Sequence, residues 1–500
     1  MSADRRSNPI AERLAAVLGL DPDAPALEFE GAWSTWGELA AASDAVDEVL
    51  RECGLGPGSP VGLMLRNRPA PLGTLLGLLR AGACVVTVNP LLGAERLRAD
   101  VPGLALPLLL GAPDDLALVP SELPATARGV LGALGEPIAV TPPAQAAAAV
   151  DAPGVAVRML TSGTTGPPKR IDLTYEMLHL VMRGAKHYET GTGSDVRLRS
   201  GVVIVNAPLV HVSGVFRVVQ AMLDGRRIAL LERFTVDGWV AAVRQHRPKT
   251  VSLVPTALRM VLDADLDDDV FASIRSVVSG TAPLDPDLAE AFTARYRVPV
   301  LTSYGATEFG GGVAGWNLAD HEQFAATKRG SVGRAHAGCS LRIVDPDDGH
   351  DLGIDTVGLL EVRAAQLGTP DWVRTTDLAR IDDDGFLWIV GRADQTIMRG
   401  GMKVQPETVR AALEQHPGVA EAAVIGVSDE RLGAVPVAVV ERQHGHDVDE
   451  QSVLATATAH LARYEVPVRM LVVDALPRTA SGKADLAAVR ELVADAEVRA

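Results

Sequence analysis

Six short apolar runs between Val155 and Leu301 constrain the fold more than any other feature: Val155 to Leu160, Val202 to Val205, Ile228 to Leu231, Val251 to Val254, Ile274 to Val278 and Val298 to Leu301. Each has strand length, and most are separated by segments of helical periodicity. Strands that alternate with helices pair in parallel beneath helices on both faces, which is the doubly wound α/β arrangement. The same rhythm begins upstream, with a helical pattern from Trp36 to about Leu50, a turn from Gly54 to Gly58 and an apolar strand from Val61 to Leu65. The Ala/Pro-rich stretch from Pro137 to Pro153 has linker composition but suits a surface loop within one domain equally, so no boundary is drawn there.

Between about Ser331 and Val390 the pattern changes to short alternating segments split by turns such as Asp347-Asp348-Gly349 and Asp383-Asp384-Gly385. That is the signature of a small antiparallel β subdomain. After Arg392 come a helix from Pro406 to Gln415, strands from Ala420 to Val427 and Val435 to Val440, and a helix near Val453 to Arg463, the outline of a compact α+β domain.

The 500 residues carry a formal charge of −16, which opposes wholesale binding to nucleic acid or anionic membranes, so any phosphate site must be local. Cys53, Cys84 and Cys339 are odd in number and far apart, which gives neither a disulfide framework nor a paired-cysteine metal site and fits a reducing cytoplasm. Arg80 breaks one leucine-rich run, while Pro102, Pro107 and Asp114-Asp115 break the other, so no transmembrane segment is expected.

The densest chemical signal is Thr161-Ser162-Gly163-Thr164-Thr165-Gly166-Pro167-Pro168-Lys169, directly after a strand. Its hydroxyls and glycine amides can converge on phosphate oxygens while Lys169 adds positive charge. It is not a Walker A loop, because Pro168 stands where that pattern needs glycine. Further patches follow in order: Pro208-Leu-Val-His211, Gly280-Thr-Ala-Pro283, Tyr304-Gly-Ala-Thr-Glu308, Arg374-Thr-Thr-Asp377, Gly391-Arg-Ala-Asp394 and Pro477-Arg-Thr-Ala-Ser-Gly-Lys483.

With these patches the chain closely resembles the acyl-adenylate-forming superfamily of acyl-CoA synthetases, luciferases and peptide-synthetase adenylation domains, from roughly Trp36 to Arg490. The resemblance implies an ATP-dependent acid–thiol ligase. A carboxylate joins the α-phosphate of ATP, pyrophosphate leaves, and a thiol then displaces AMP. It also implies a large N-terminal adenylation domain over residues 1–393 and a mobile C-terminal domain over 394–500, with Asp394 as the hinge. No fused carrier domain is expected at either end. The expected thiol is therefore coenzyme A, which the family-typical Arg399-Gly-Gly loop favours, or that of a separate carrier protein.

By the same resemblance, Thr161, Ser162, Gly163, Thr164, Thr165, Gly166 and Lys169 would hold the β- and γ-phosphates, and Glu308 would coordinate Mg²⁺, whose hardness suits a carboxylate. Gly280, Thr281, Ala282 and Tyr304 look like adenine contacts, with Gly305 and Thr307 also in the implied nucleotide-binding set. Asp377 resembles the acid that accepts both ribose hydroxyls, and Arg392 its neighbour. Lys483 corresponds to the lysine bridging the substrate carboxylate and α-phosphate, and stands with Glu308, Thr164 and His211 in the implied catalytic set. His211, Val212, Ser213, Phe216 and Gly310 would face the acyl group, and the Gly310 to Gly312 run reads either as room for a bulky or long acyl group or as a mobile loop. Gly400 and Gly401 would admit a pantetheine arm after rotation. Thr376 stands where the family usually has glycine, so an altered turn is expected before Asp377.

Overall fold

The computed structural model describes residues 8–120, 123–145, 151–161, 169–184, 196–443, 445–446, 448–479 and 483–499. Three sheets make up the large N-terminal part. The first has seven strands in the order Ala139–Thr141, Ala127–Val130, Leu108–Gly111, Pro60–Met64, Cys84–Val88, Val155–Thr161 and Lys169–Thr174. Its inner five run parallel and both edge strands antiparallel. Every residue of Pro60–Met64 and Cys84–Val88 is buried, as continuous apolar runs in a doubly covered sheet require.

Helices cover this sheet for legible reasons. Trp36–Glu52 starts at a capping box in which Thr35 Oγ1 accepts from the Glu38 N–H and the Glu38 carboxylate accepts from the Thr35 N–H. Pro69–Arg80 begins with proline and buries Leu72, Leu75, Leu76, Leu78 and Leu79 completely. The first leucine-rich run is therefore a core helix. Among the described residues no helix is long and apolar enough to cross a membrane. Ala139–Thr141 and the Ala152 N–H, which donates to Gly58 O at 2.7 Å, tie both ends of the Ala/Pro-rich stretch to this first sheet.

The second sheet joins Arg199–Val205, Arg226–Leu230 and Pro25–Phe29 in parallel, with Ala32–Thr35 folded back antiparallel. The third places Thr250–Ser252, Ser276–Ser279 and Val300–Ala306 in parallel, followed by antiparallel Gly311–Gly315 and Arg334–Ala335. All six anticipated strands exist. The alternation did not foresee that Val155–Thr161 is followed by an antiparallel strand rather than a helix crossover.

Cys339–Val344, Gly358–Ala364, Val373–Ile381 and Leu387–Arg392 form the expected antiparallel β subdomain. Beyond it, a sheet built on the long hairpin Val419–Asp429 and Gly433–Arg442 is packed by the helices Pro406–Leu413, Glu450–Thr458 and Leu486–Arg499, the anticipated α+β unit.

Candidate active site

One large cleft lies between the N-terminal sheets and the C-terminal α+β unit, and strand ends from both sides deliver side chains into it. Thr161 and Lys169 are register partners on adjacent antiparallel strands, so the two ends of the phosphate motif are held together. Ser162, Gly163, Thr164, Thr165 and Gly166 lie outside the described residues.

Gly280, Thr281 and Ala282 follow the strand Ser276–Ser279 and line the cleft. A Cβ at Gly280 would stand 2.9 Å from Ser303 O, so only glycine permits this approach of neighbouring strands. Thr281 has φ +71, a conformation uncommon for a β-branched residue. Tyr304, on Val300–Ala306, donates its hydroxyl to the Asp377 carboxylate. Burial raises the Tyr304 phenol above its ordinary pKa, and the Asp377 charge adds to this. Gly305, Thr307 and Glu308 continue the same wall, with Glu308 exposed on a single turn, Thr307–Phe309.

Asp377 owes its position to an irregular register. Leu359 pairs with Leu378 but Glu361 with Arg374, so a step of two along Gly358–Ala364 meets a step of four along Val373–Ile381. Thr375 pins the resulting bulge, donating to Leu360 O at 2.9 Å and accepting from the Asp377 N–H at 3.0 Å. Thr376 lies within this irregular stretch at a negative φ, so the chain passes it without the backbone angles that only glycine adopts readily. Burial raises the Asp377 pKa despite the Tyr304 hydrogen bond and the Arg392 charge, which both act downward. Arg392 lies 3.7 Å from Asp377 and makes a two-pronged contact with Asp394 at 2.9 and 2.8 Å.

Lys483 arrives from the C-terminal unit and lines the same cleft. Crowding by surrounding atoms lowers its pKa, and the Arg392 charge lowers it further, while Asp377 and Glu308 pull the other way. One lysine, one arginine and two carboxylates from distant parts of the chain thus share a single electrostatic environment.

His211 is the N-cap residue of the helix Val212–Leu223, and Val212, Ser213 and Phe216 on its first turns line the cleft. Gly310 and Gly311 point their bare sides at helix Tyr175–Gly184, where a Cβ would meet Met177 and Val181 at 3.3 and 3.1 Å respectively. Their missing side chains make room for that helix, and Gly310 stands buried behind the wall rather than open to the cleft. Gly400 and Gly401 form the tip of the hairpin Ile397–Arg399 and Met402–Val404, outside the cleft.

Asn67 escaped the sequence reading. It is 5% exposed, donates to Ala207 O and Leu231 O at 3.0 Å each, and accepts from the Leu209 N–H at 2.9 Å. It thereby fixes the segment leading to His211 against the first sheet. A lone asparagine after a strand carries no signal of such a role.

The AMP-binding enzyme profile matches residues 15–369, and that of the AMP-binding enzyme C-terminal domain matches residues 409–483. The chain belongs to the AMP-binding enzyme family. The expected acyl-adenylate-forming superfamily membership, of acyl-CoA synthetase type, is thereby met. An indoleacetate–CoA ligase of Aromatoleum aromaticum is 31% identical, covering 97% of this chain and 98% of that protein. ATP-bound MatB from Rhodopseudomonas palustris superposes with TM-score 0.81 at 26% identity, covering 97% of this chain and 99% of that one. The O-succinylbenzoate coenzyme A synthetase MenE of Bacillus subtilis, in complex with ATP and a magnesium ion, gives TM-score 0.77 at 25% identity over 95% and 98% of the two chains.

Proposed function

We propose that this AMP-binding enzyme is an ATP-dependent carboxylic acid:coenzyme A ligase of the cytoplasm. The observation that carries the reading is the convergence of Lys483 with Glu308, Asp377 and Arg392 across the cleft, and we assign its two sides to domains of residues 1–393 and 394–500. The substrate carboxylate oxygen attacks the α-phosphorus of ATP, the bond to the β-phosphate oxygen breaks, and pyrophosphate departs. The coenzyme A thiolate then attacks the acyl carbonyl carbon and AMP leaves with the bonding electrons.

Lys483 presents fixed positive charge where negative charge builds on the α-phosphate, the placement in which a preorganised cation contributes most. Asp377 accepts the ribose hydroxyls, Tyr304 and Gly280 to Ala282 flank the base, and the Thr161 to Lys169 motif takes the outer phosphates. The exposed Glu308 carboxylate is the hard oxygen donor that fits Mg²⁺, which neutralises phosphate charge when bound. His211, Val212, Ser213 and Phe216 border the acyl group. We place the acid among aryl-substituted carboxylic acids. The indoleacetate and succinylbenzoate ligases among the relatives support this class. So does the Phe216 ring, a flat apolar surface on the cleft.

The test is release of pyrophosphate and AMP over a panel of aryl and aliphatic acids, with and without coenzyme A, for the native protein and Lys483→Ala. Acyl-CoA and AMP are expected only with coenzyme A present, for at least one aryl acid. The variant should lose pyrophosphate release by about 100-fold or more, the scale on which a single transition-state charge contact acts. Pyrophosphate release without thioester would redirect the acceptor to a carrier protein or an amine.

A further inference from the structure

Lys483 must reach across a domain interface, so its useful position depends on whatever holds the segment that presents it. Two acids stand directly opposite each other on the C-terminal hairpin: Glu421 on Val419–Asp429 and Glu441 on Gly433–Arg442 are register partners. Like charges placed opposite across strands repel and destabilise a sheet. Here one guanidinium bridges them. Arg478 Nη1 donates to Glu421 Oε2 at 2.6 Å and Nη2 to Glu441 Oε2 at 2.8 Å, with the two acids 25% and 19% exposed. The same Glu441 oxygen accepts the Leu476 N–H at 2.8 Å.

Arg478 belongs to the segment that ends in Lys483. Its backbone bridges to Ala484, the Thr479 N–H donates to Lys483 O at 2.7 Å, and the Asp485 N–H donates to Pro477 O at 2.8 Å. The two ends of the segment are therefore stapled together, and Arg478 bolts the staple to the sheet. A loop attached through backbone contacts alone could pivot about that staple. A planar fork gripping carboxylates on two strands fixes its orientation as well.

We propose that Arg478, gripping the facing pair Glu421 and Glu441, is the positioning residue that aims Lys483 into the nucleotide cleft, and that this pair of acids acts as its socket. The inference rests on the assignment of Lys483 to the adenylation step.

The experiment separates the two half-reactions. Pyrophosphate release from ATP and acid measures the first, and thioester formation from supplied acyl-adenylate and coenzyme A the second. Because a misaimed lysine loses transition-state contact without loss of substrate binding, Arg478→Met should slow the first about tenfold or more while KM for ATP and acid changes less than about twofold. The second half-reaction should stay within about twofold of native, which shows that the C-terminal domain remains folded and able to act. Arg478→Lys should recover only part of the loss, since an ammonium cannot reproduce the fork. The double variant Glu421→Gln with Glu441→Gln, which removes the socket and its internal repulsion together, should show the same first-step defect, and it serves if Arg478→Met fails to fold. Loss of adenylation in Lys483→Ala with adenylation retained in Arg478→Met and in the double variant overturns this inference alone, as does equal loss of both half-reactions in both. Adenylation that survives in Lys483→Ala overturns the reading of the site and this inference with it.

Discussion

Asp377 is a carboxylate held where water supports its charge poorly, and its stability cost and the binding role proposed for it have the same origin. Burial raises its pKa in the folded protein. Below the ordinary aspartate value, near 4, the carboxyl is protonated both folded and unfolded and contributes nothing to the difference. As pH rises through the raised folded value, the unfolded chain ionises first and the folded state loses stability relative to it. Asp377→Asn is therefore expected to melt higher than the native protein at pH 7 and to match it near pH 3. Hydrogen bonds to a charged acceptor are worth about 1.5–3 kcal/mol each, so the same variant should bind ATP about tenfold or more weakly. Thermal melts at both pH values and a nucleotide titration check the two halves together. The motif reading reached this residue because Arg374-Thr-Thr-Asp377 is contiguous. The register bulge that carries the chain past Thr376 at ordinary backbone angles was not legible, because it leaves no mark in composition.

Elements built from local patterns were legible, and those completed by distant partners were not. Helix Trp36–Glu52 announces itself through its capping box, and the hairpin of the C-terminal unit through alternation. Strand Pro25–Phe29 pairs with Arg226–Leu230 some two hundred residues on, a pairing that no local rule anticipates. Asn67 belongs to the same class, since its three partners lie beyond residue 200 and join separate sheets. Replacing it with alanine leaves the buried Leu209 N–H without this acceptor and takes a donor from two carbonyls on half-buried residues. Asn67→Ala is expected to lower unfolding stability by about 2–4 kcal/mol in urea titrations, from penalties of about 1–3 kcal/mol per orphaned group with partial relaxation. The segment it fixes ends at His211, so KM for the acid should rise more than KM for ATP.

At the scale of the whole molecule, Lys483 is inside the cleft and the Gly400–Gly401 hairpin tip is outside it, although both belong to the C-terminal unit. A rigid unit cannot offer both faces at once, so an enzyme that uses the lysine for one step and the hairpin for the next must turn that unit between steps. On the proposed function, with Asp394 as the hinge, that turn would fall next to Arg392, whose guanidinium grips Asp394 while facing Asp377. Gly401 separates the two arrangements experimentally. Its φ is +86 and a Cβ added there meets no atom within 4 Å, so in the present arrangement Gly401→Val costs only backbone strain, about 1–2 kcal/mol, in an exposed tip. After rotation the same side chain would stand in the path of a pantetheine arm. Pyrophosphate release by Gly401→Val should therefore remain within about threefold of native, while thioester formation from supplied acyl-adenylate falls tenfold or more, the reverse of the Arg478→Met pattern. Equal loss of both steps would show that the hairpin serves the fold, and unimpaired thioester formation would show that the thiol enters by another route.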